Sequence, residues 1–294
     1  MIDVRRLAAR TARLRRLDNL LGGADTHQRY RTEAAATSAT LAAATCSAAV
    51  RRAGLSTLAE QQQLAGWAAF DAGLHGVAKS HHLTSLDTAT DAAAPAFAGN
   101  ALAFLAYQSI SVTGPDVQTA AESVDRARDA GTPRIRALLL ERLAWTHAVA
   151  GDVRETERAL DAAEHAVTEQ TDVPEPDWVY WVDADEMRIM ASRCYTQLHL
   201  PLRAVPALTD ALDRFDDTHA RDKALYCTSL ARAYLHAGEV PQAALVAARV
   251  IELSDGVGSV RPRRHLEPVL RALRPHRTVP EVAELLELDA ATPV

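Results

Sequence analysis

Side chains suited to ligand binding recur at two matching positions along the chain. Both positions are counted back from five residues that mark predicted turns, namely Gly73, Gly114, Gly151, His199 and Gly238. Six residues before each turn stand Trp67, Gln108, Trp145, Arg193 and Arg232, and ten residues before it stand Gln63, Phe104, Glu141, Ile189 and Thr228. Aromatic rings offer apolar or stacking surface, whereas guanidinium groups pair with carboxylates or phosphates. The spacing therefore predicts a ligand-binding surface with aromatic side chains at one end and arginines at the other.

These side chains lie on one surface only if the chain is a series of helix pairs. Segment 224–253 shows that pattern most clearly. Its first half has apolar side chains at helical spacing and stops at Gly238. Its second half has one apolar face, formed by Ala243, Ala247 and Val250. This order is typical of the tetratricopeptide repeat, which has a leucine and a small residue, then an aromatic residue, a glycine, and an alanine in the second helix.

The same register predicts the fold class. Small residues follow the turns at matching positions in the second helices, namely Ala78, Ala120, Thr156, Ala204 and Ala243, with one inserted residue in the unit at Gly114. We expect an all-α, right-handed superhelical tetratricopeptide-like solenoid, in which the first helices line a concave groove. The predicted divisions are an N-terminal helical segment (1–55), five helix pairs (56–253) and C-terminal capping helices (254–294).

The N-terminal segment is predicted to contain a basic helix followed by an alanine-rich one. The first helix has a stripe of Val4, Leu7, Leu14, Leu17 and Leu21 and is expected to end at Gly22 and Gly23. The second is expected to run to about Arg52, with a break at Gly54 and Ser56. Because so short a helix is unstable alone, we expect residues 1–21 to pack on the repeats or on a second copy of the chain.

Charge argues against nucleic-acid binding by the repeats. Residues 1–16 hold six arginines and one aspartate, about +5, which leaves −11 for the rest of a chain whose total charge is −6. Phosphate neutralisation needs a basic face, and the body of this chain is acidic. We therefore expect no direct nucleic-acid binding by this chain.

Composition favours a reducing compartment and close-packed helices. Apolar residues make up 48% of the chain and aromatic residues only 5%. Cys46, Cys194 and Cys227 have no CxxC spacing, which predicts a cytoplasmic protein without disulfides or a zinc site. The uncharged run 34–50 is interrupted by threonines and serines, so it is too polar to span a membrane.

A search for catalytic patterns finds few candidates. HExxH, GxSxG, P-loop and GxGxxG motifs are absent from the sequence, and the His81–His82 pair has no third ligand at helical spacing. The acidic residues at 183, 185 and 186 could bind a cation, but such residues more often stabilise the start of a helix. The aromatic cluster at 178, 180 and 181 is expected to serve both core and groove wall. We predict no catalytic residue, metal or cofactor.

Several segments resemble a known family. The similarity is to the region that follows the helix-turn-helix in actinobacterial transcriptional regulators of the XRE type. The segments that carry it are RRLDNLLGGADT, QLAGWAAFDAG, NALAFLAYQSI, WVYWVDADEM and ARDKALYCTSLARAYLHAGE. The resemblance covers essentially the whole chain and implies signal reception and dimerisation. It differs in one respect, because those regulators carry a DNA-binding domain ahead of the RRLDNLLGG-like helix and this sequence has none there. The chain is thus either a trimmed regulator or a free-standing relative.

The sequence predicts a non-catalytic receptor for a small molecule or peptide, with the groove residues of the first paragraph as its site. A protein–protein scaffold is the main alternative, since the groove could hold a partner's helix or extended tail. An enzyme using the groove as a pocket is a further alternative. The aromatic residues and arginines could also simply fill space between helices and pair with neighbouring acids.

Overall fold

The computed structural model describes residues 2–18 and 21–292. The chain is 81% helical, and the described residues contain no β-strand. Fourteen α-helices follow one another in the described residues: α1 Val4–Leu17, α2 Gly23–Ala43, α3 Ala48–Asp71, α4 His75–Asp91, α5 Pro95–Val112, α6 Val117–Ala127, α7 Pro133–Ala150, α8 Val153–Thr168, α9 Ala184–Gln197, α10 Pro201–Arg214, α11 Ala220–Ala237, α12 Val240–Ser254, α13 Arg261–Leu273 and α14 Pro280–Ala291. The all-α prediction is confirmed.

The five predicted turn residues each follow the first helix of a pair. Four are glycines with φ between 80° and 107°, and the fifth, His199, has φ 59°. A left-handed residue ends a helix by turning the chain back, and glycine adopts that conformation at no steric cost. The pairs α3–α4, α5–α6, α7–α8, α9–α10 and α11–α12 therefore turn where the register predicts.

Small residues lie where the second helices come close to their neighbours. The five predicted positions, Ala78, Ala120, Thr156, Ala204 and Ala243, are at most 1% exposed. Their short side chains allow close approach of the helix backbones, which a larger residue would prevent. These five positions are therefore buried, as the register predicts.

The predicted boundary between the second and third helices is wrong. α2 ends at Ala43 rather than near Arg52, and α3 begins at Ala48, where Ser47 Oγ accepts a hydrogen bond from the backbone N–H of Val50 at 3.3 Å. Gly54 lies inside α3, where an added Cβ would stand 2.5 Å from Leu41 Cδ2. The glycine thus allows two helices to pack closely and does not end one.

The chain divides into two compact units, which we describe separately. The N-terminal unit comprises residues 1–18 and 23–187, and the C-terminal unit comprises residues 19–22 and 188–294. The core of the C-terminal unit is formed by apolar residues of α9 to α14, among them Leu208, Leu230, Leu266 and Leu273. In the N-terminal unit, one apolar cluster joins α5 and α7 to Val179 and Val182.

The basic helix α1 packs on its own chain, within the N-terminal unit. Val4 and Leu7 contact the cluster that includes Leu41 and Leu58. The helix ends at Leu17, and positions 19 and 20, which the prediction placed inside it, lie outside the described residues. The expectation that this segment packs on the repeats is confirmed for α1.

Ion pairs fasten the end of α1 to the loop before α9. Arg15 pairs with Glu60 of α3, with Nε to Oε1 at 3.0 Å, and also with Asp177. Arg16 donates from Nη2 to Asp177 Oδ1 at 2.6 Å, and its guanidinium lies 5.1 Å from the ring centroid of Tyr180. These hydrogen bonds from Arg16 and Arg15 keep the pKa of Asp177 below its ordinary value.

The hydropathy of the helices agrees with the prediction that run 34–50 does not span a membrane. In the described part of the chain, no helix combines the length and the apolar character that crossing a bilayer requires.

Candidate ligand-binding site

In the N-terminal unit two of the three predicted aromatic residues, Trp67 and Phe104, lie in one aromatic cluster. The Trp67 ring lies 5.6 Å from Phe104, 5.7 Å from Phe70 and 6.0 Å from Tyr107, measured between ring centroids. Trp67 Nε1 donates a hydrogen bond to Asp18 Oδ2 at 3.2 Å. Trp67 and Phe104 are half-buried, so each keeps some surface for a ligand while supporting the packing of α3 on α5.

The predicted polar residues of this unit connect helices. Gln63 Nε2 donates to the carbonyl oxygen of Phe97, and Gln63 Oε1 accepts from Asn100 Nδ2, both at 2.8 Å. Gln108 Nε2 donates to the carbonyl oxygen of His75 at 2.6 Å. Such hydrogen bonds satisfy buried amides and tie α3, α4 and α5 together. A role for Gln63 and Gln108 in ligand binding stays a prediction.

Glu141 and Trp145 of α7 are both buried. Glu141 is fully buried, and its Oε1 lies 3.4 Å from Arg142 Nε, while Trp145 is 7% exposed. The guanidinium of Arg142 lies 4.9 Å from the ring centroid of Tyr107. The depth of these two side chains favours packing over direct contact with a ligand, although their predicted role is untested.

In the C-terminal unit the predicted residues are Arg193, Thr228 and Arg232. Thr228 is buried and donates its hydroxyl to the carbonyl oxygen of Ala224 at 2.9 Å, within its own helix. Arg193 is 7% exposed, and its guanidinium lies 5.7 Å from the ring centroid of Tyr226. Its Nη1 lies 3.0 Å from Met190 Sδ. Arg193 therefore has the polarisable contacts that accommodate a buried guanidinium.

Arg232 differs from several other arginines of its unit, which pair with acids. Arg214 pairs with Asp210, Arg249 with Asp217 and Glu252, Arg263 with Asp289 and Arg271 with Glu267. Among the described residues, Arg232 has no hydrogen-bond or ion-pair partner, and its Nε is buried. Burial and the nearby charge of Arg193 lower the pKa of its guanidinium. Arg232 is thus a half-buried cation next to a second cation.

Two histidines follow these arginines along the chain, His199 six residues after Arg193 and His236 four residues after Arg232. His199 and His236 stack with ring centroids 3.9 Å apart. Burial, His199 and Arg232 lower the pKa of His236 to about 4, so this ring is neutral at pH 7. The neutral His236 ring adds no positive charge beside Arg232.

Sequence reasoning missed the contribution of α13. Burial and the charges of Arg261, Arg193 and Arg232 lower the pKa of His265 to about 3. Arg261 and His265 are four residues apart, so they lie on one face of α13. This spacing of two basic side chains is visible in the sequence, but α13 lies outside the predicted repeats, where the sequence predicts only a capping helix.

The remaining chemical candidates have structural explanations. Asp183 Oδ1 accepts hydrogen bonds from the backbone N–H groups of Asp185 and Glu186, at 2.9 and 3.0 Å, and so caps α9. His82 is 1% exposed and stacks on Phe104, and His81 Nδ1 lies 2.6 Å from Gln62 Oε1. The described part of the chain contains no group of three His, Cys, Asp or Glu side chains that could hold a metal ion.

Comparison of the chain with protein-family models finds no match, and the search of curated proteins finds none either. The argument about function therefore rests on the residues themselves.

Proposed function

We propose that this chain is a non-catalytic receptor that binds a small molecule or peptide bearing an anionic group, and that Arg232 of the C-terminal unit contacts that group. The proposal includes tetratricopeptide-like, right-handed stacking of the helix pairs within each unit. It also includes a relationship to the sensor regions of XRE-type regulators, a cytoplasmic location and a homodimer. The segments similar to those regulators and the five left-handed turn residues between paired helices support these parts.

The observation that carries the proposal is the lack of a partner for Arg232 among the described residues. Burying a cation without an anion costs free energy, because the interior solvates charge poorly. A second cation, Arg193, adds repulsion to that cost. A binding site can retain such an arrangement because the ligand supplies the missing anion.

A screen by thermal shift tests the proposal, with small carboxylates, phosphate esters and acidic peptides as separate sets. We expect a ligand that raises the melting temperature of the wild type and has little effect on Arg232→Ala. Arg271→Ala is the matched control, since Arg271 is exposed and pairs with Glu267 of its own helix. A protein scaffold would instead respond only to peptides.

The variant itself provides a check on folding. Because Arg232 has no partner to lose, Arg232→Ala should be about as stable as the wild type. The receptor proposal fails if no set stabilises the wild type, or if Arg232→Ala responds as the wild type does.

A further inference from the structure

We infer that His27 of α2 and His81 of α4 form a binding site for one divalent transition-metal ion, with water completing its coordination. Both residues belong to the N-terminal unit, so the inference concerns other residues than Arg232 and does not depend on the receptor proposal. An ion bound in this way links two helices that both pack against α3.

The two histidine rings lie close together although they come from different helices. The ring centroids of His27 and His81 are 5.8 Å apart, and the ring planes meet at 76°. Imidazole nitrogen binds zinc at about 2.0–2.1 Å, which places each ring centroid about 3.2 Å from the ion. Two such centroids stand about 5.2 Å apart around a tetrahedral ion, and at most about 6.4 Å apart in any geometry. The observed separation therefore fits a shared ion.

A hydrogen bond from α3 orients the His81 ring. His81 Nδ1 lies 2.6 Å from Gln62 Oε1. An amide oxygen only accepts hydrogen bonds, so Nδ1 carries the proton and the lone pair of Nε2 is left for a cation. Histidines that bind metal ions commonly donate their other N–H group to an oxygen acceptor, which fixes the orientation of the ring. Gln62 is thus the positioning residue of this site.

His27 supplies the second nitrogen. Its Nε2 is buried and has no hydrogen-bond partner among the described residues. A buried polar atom without a partner costs free energy, and a bound ion satisfies it. Burial lowers the pKa of both His27 and His81, so both rings are neutral at pH 7, the state that binds metal ions.

The adjacent His82 does not take part in the site. Its side chain is 1% exposed and stacks on Phe104. In the part of the chain that the structure describes, no third His, Cys, Asp or Glu side chain joins the pair. The protein therefore supplies two ligands. His27 and His81 are only half-buried, which gives the ion and its water molecules access from solvent.

The type of ligand decides the class of ion. Imidazole nitrogen suits zinc, nickel and copper, whereas magnesium and calcium prefer oxygen ligands. Arg31 lies one turn after His27 on α2, and its charge acts on both rings. Its repulsion lowers the affinity for every cation, so only ions that bind nitrogen strongly overcome it.

Calorimetric titration of the full chain with Ni(II) tests the inference, with Mg(II) as the control cation. We expect the wild type to bind Ni(II) at this site and not to bind Mg(II). His27→Ala and His81→Ala should each weaken Ni(II) binding about tenfold or more, because each removes one of the two protein ligands. His165→Ala removes an exposed histidine of α8 and should bind Ni(II) like the wild type.

Two further variants test the roles of the neighbouring side chains. Gln62→Leu keeps both imidazoles but loses the orienting hydrogen bond, so Ni(II) binding should weaken about tenfold. Arg31→Gln removes the nearby positive charge, so Ni(II) binding should become several-fold tighter. A purely structural role of the histidine pair would leave Ni(II) binding unaffected by either change.

Circular dichroism establishes that the variants fold, and hydrogen exchange of the wild type provides a measurement that needs no variant. Ni(II) should slow exchange in α2 and α4 and leave exchange in α12 unchanged. The inference is overturned if Ni(II) does not bind, if Mg(II) binds as tightly as Ni(II), or if His27→Ala or His81→Ala binds Ni(II) like the wild type. An equal loss in His165→Ala would also overturn it.

Discussion

Arg232 and His82 show two ways in which this chain holds a basic side chain among packed helices. His82 is neutral, because burial lowers its pKa to about 3, and its ring stacks on Phe104 with centroids 5.0 Å apart. Arg232 cannot lose its proton near neutral pH, so it needs an anion or solvent. The first side chain serves packing, and the second is suited to binding.

His82 should make stability depend on pH. Its folded-state pKa of about 3 is below the ordinary value of 6.5, so the unfolded chain binds the proton more readily. The contribution of His82 is complete above pH 6.5 and is lost as pH falls toward 3, by about 2 kcal/mol between pH 7 and 5. Urea unfolding of His82→Leu should show a pH dependence smaller by that amount, whereas His165→Leu, at an exposed position, should not. An unchanged pH dependence in His82→Leu would contradict this account.

At the scale of helices, the sequence predicts the turns and close contacts well and the functional side chains less well. Gly73 and Gly151 are predictable because a helix end requires a left-handed residue, which few residues except glycine adopt. Gly54 misled the prediction because the same residue type also permits helix packing. Gln63 and Glu141 have the predicted register, but partners on neighbouring helices decide whether such side chains face a ligand, and a single sequence does not reveal those partners.

The crossing of α5 and α6 depends on Gly99. A Cβ at this position would lie 2.6 Å from the carbonyl oxygen of Ser123, so the backbones would have to separate. We expect Gly99→Ala to lower the free energy of unfolding by about 1–3 kcal/mol in urea titrations. Gly76→Ala is the control, because no atom lies within 4 Å of its added Cβ and alanine favours helix. Equal stability of the two variants would show that the close approach is not required.

The ion pairs of Asp177 should hold the end of α1 in place. Asp177 is about half exposed, so we expect Asp177→Asn to cost only about 1 kcal/mol and to act locally. Hydrogen exchange of residues 4–17 should become several-fold faster, while exchange in α7 stays unchanged. Asp172→Asn, an exposed change in the same loop, should leave α1 protected. Unchanged exchange of α1 in Asp177→Asn would mean that apolar packing alone holds the helix.

For the whole molecule, charge distribution separates the possible partners. Positive charge is concentrated in residues 1–16, yet Arg10, Arg15 and Arg16 of that segment pair with acids of the same unit. Half of these six arginines are therefore already paired with acids, which reduces the charge available for phosphates of a duplex.

We therefore expect this chain to bind duplex DNA weakly and without sequence preference. Fluorescence anisotropy with a labelled duplex and a scrambled competitor measures this directly. Any affinity should be lost as salt is raised from 50 to 200 mM, as expected for contacts to phosphates alone. Salt-resistant preference for one duplex would require a recognition surface that these residues do not provide.

Native mass spectrometry after incubation with a small-molecule cell extract tests the receptor proposal most directly, because it reports the oligomeric mass and the bound ligand together. Wild type, Arg232→Ala and Arg271→Ala should be compared at equal concentration. We predict a dimer that retains an added small-molecule mass in the wild type and in Arg271→Ala, and loses it in Arg232→Ala. The same added mass on all three proteins, or none on the wild type, would contradict the proposal that Arg232 marks a ligand-binding site.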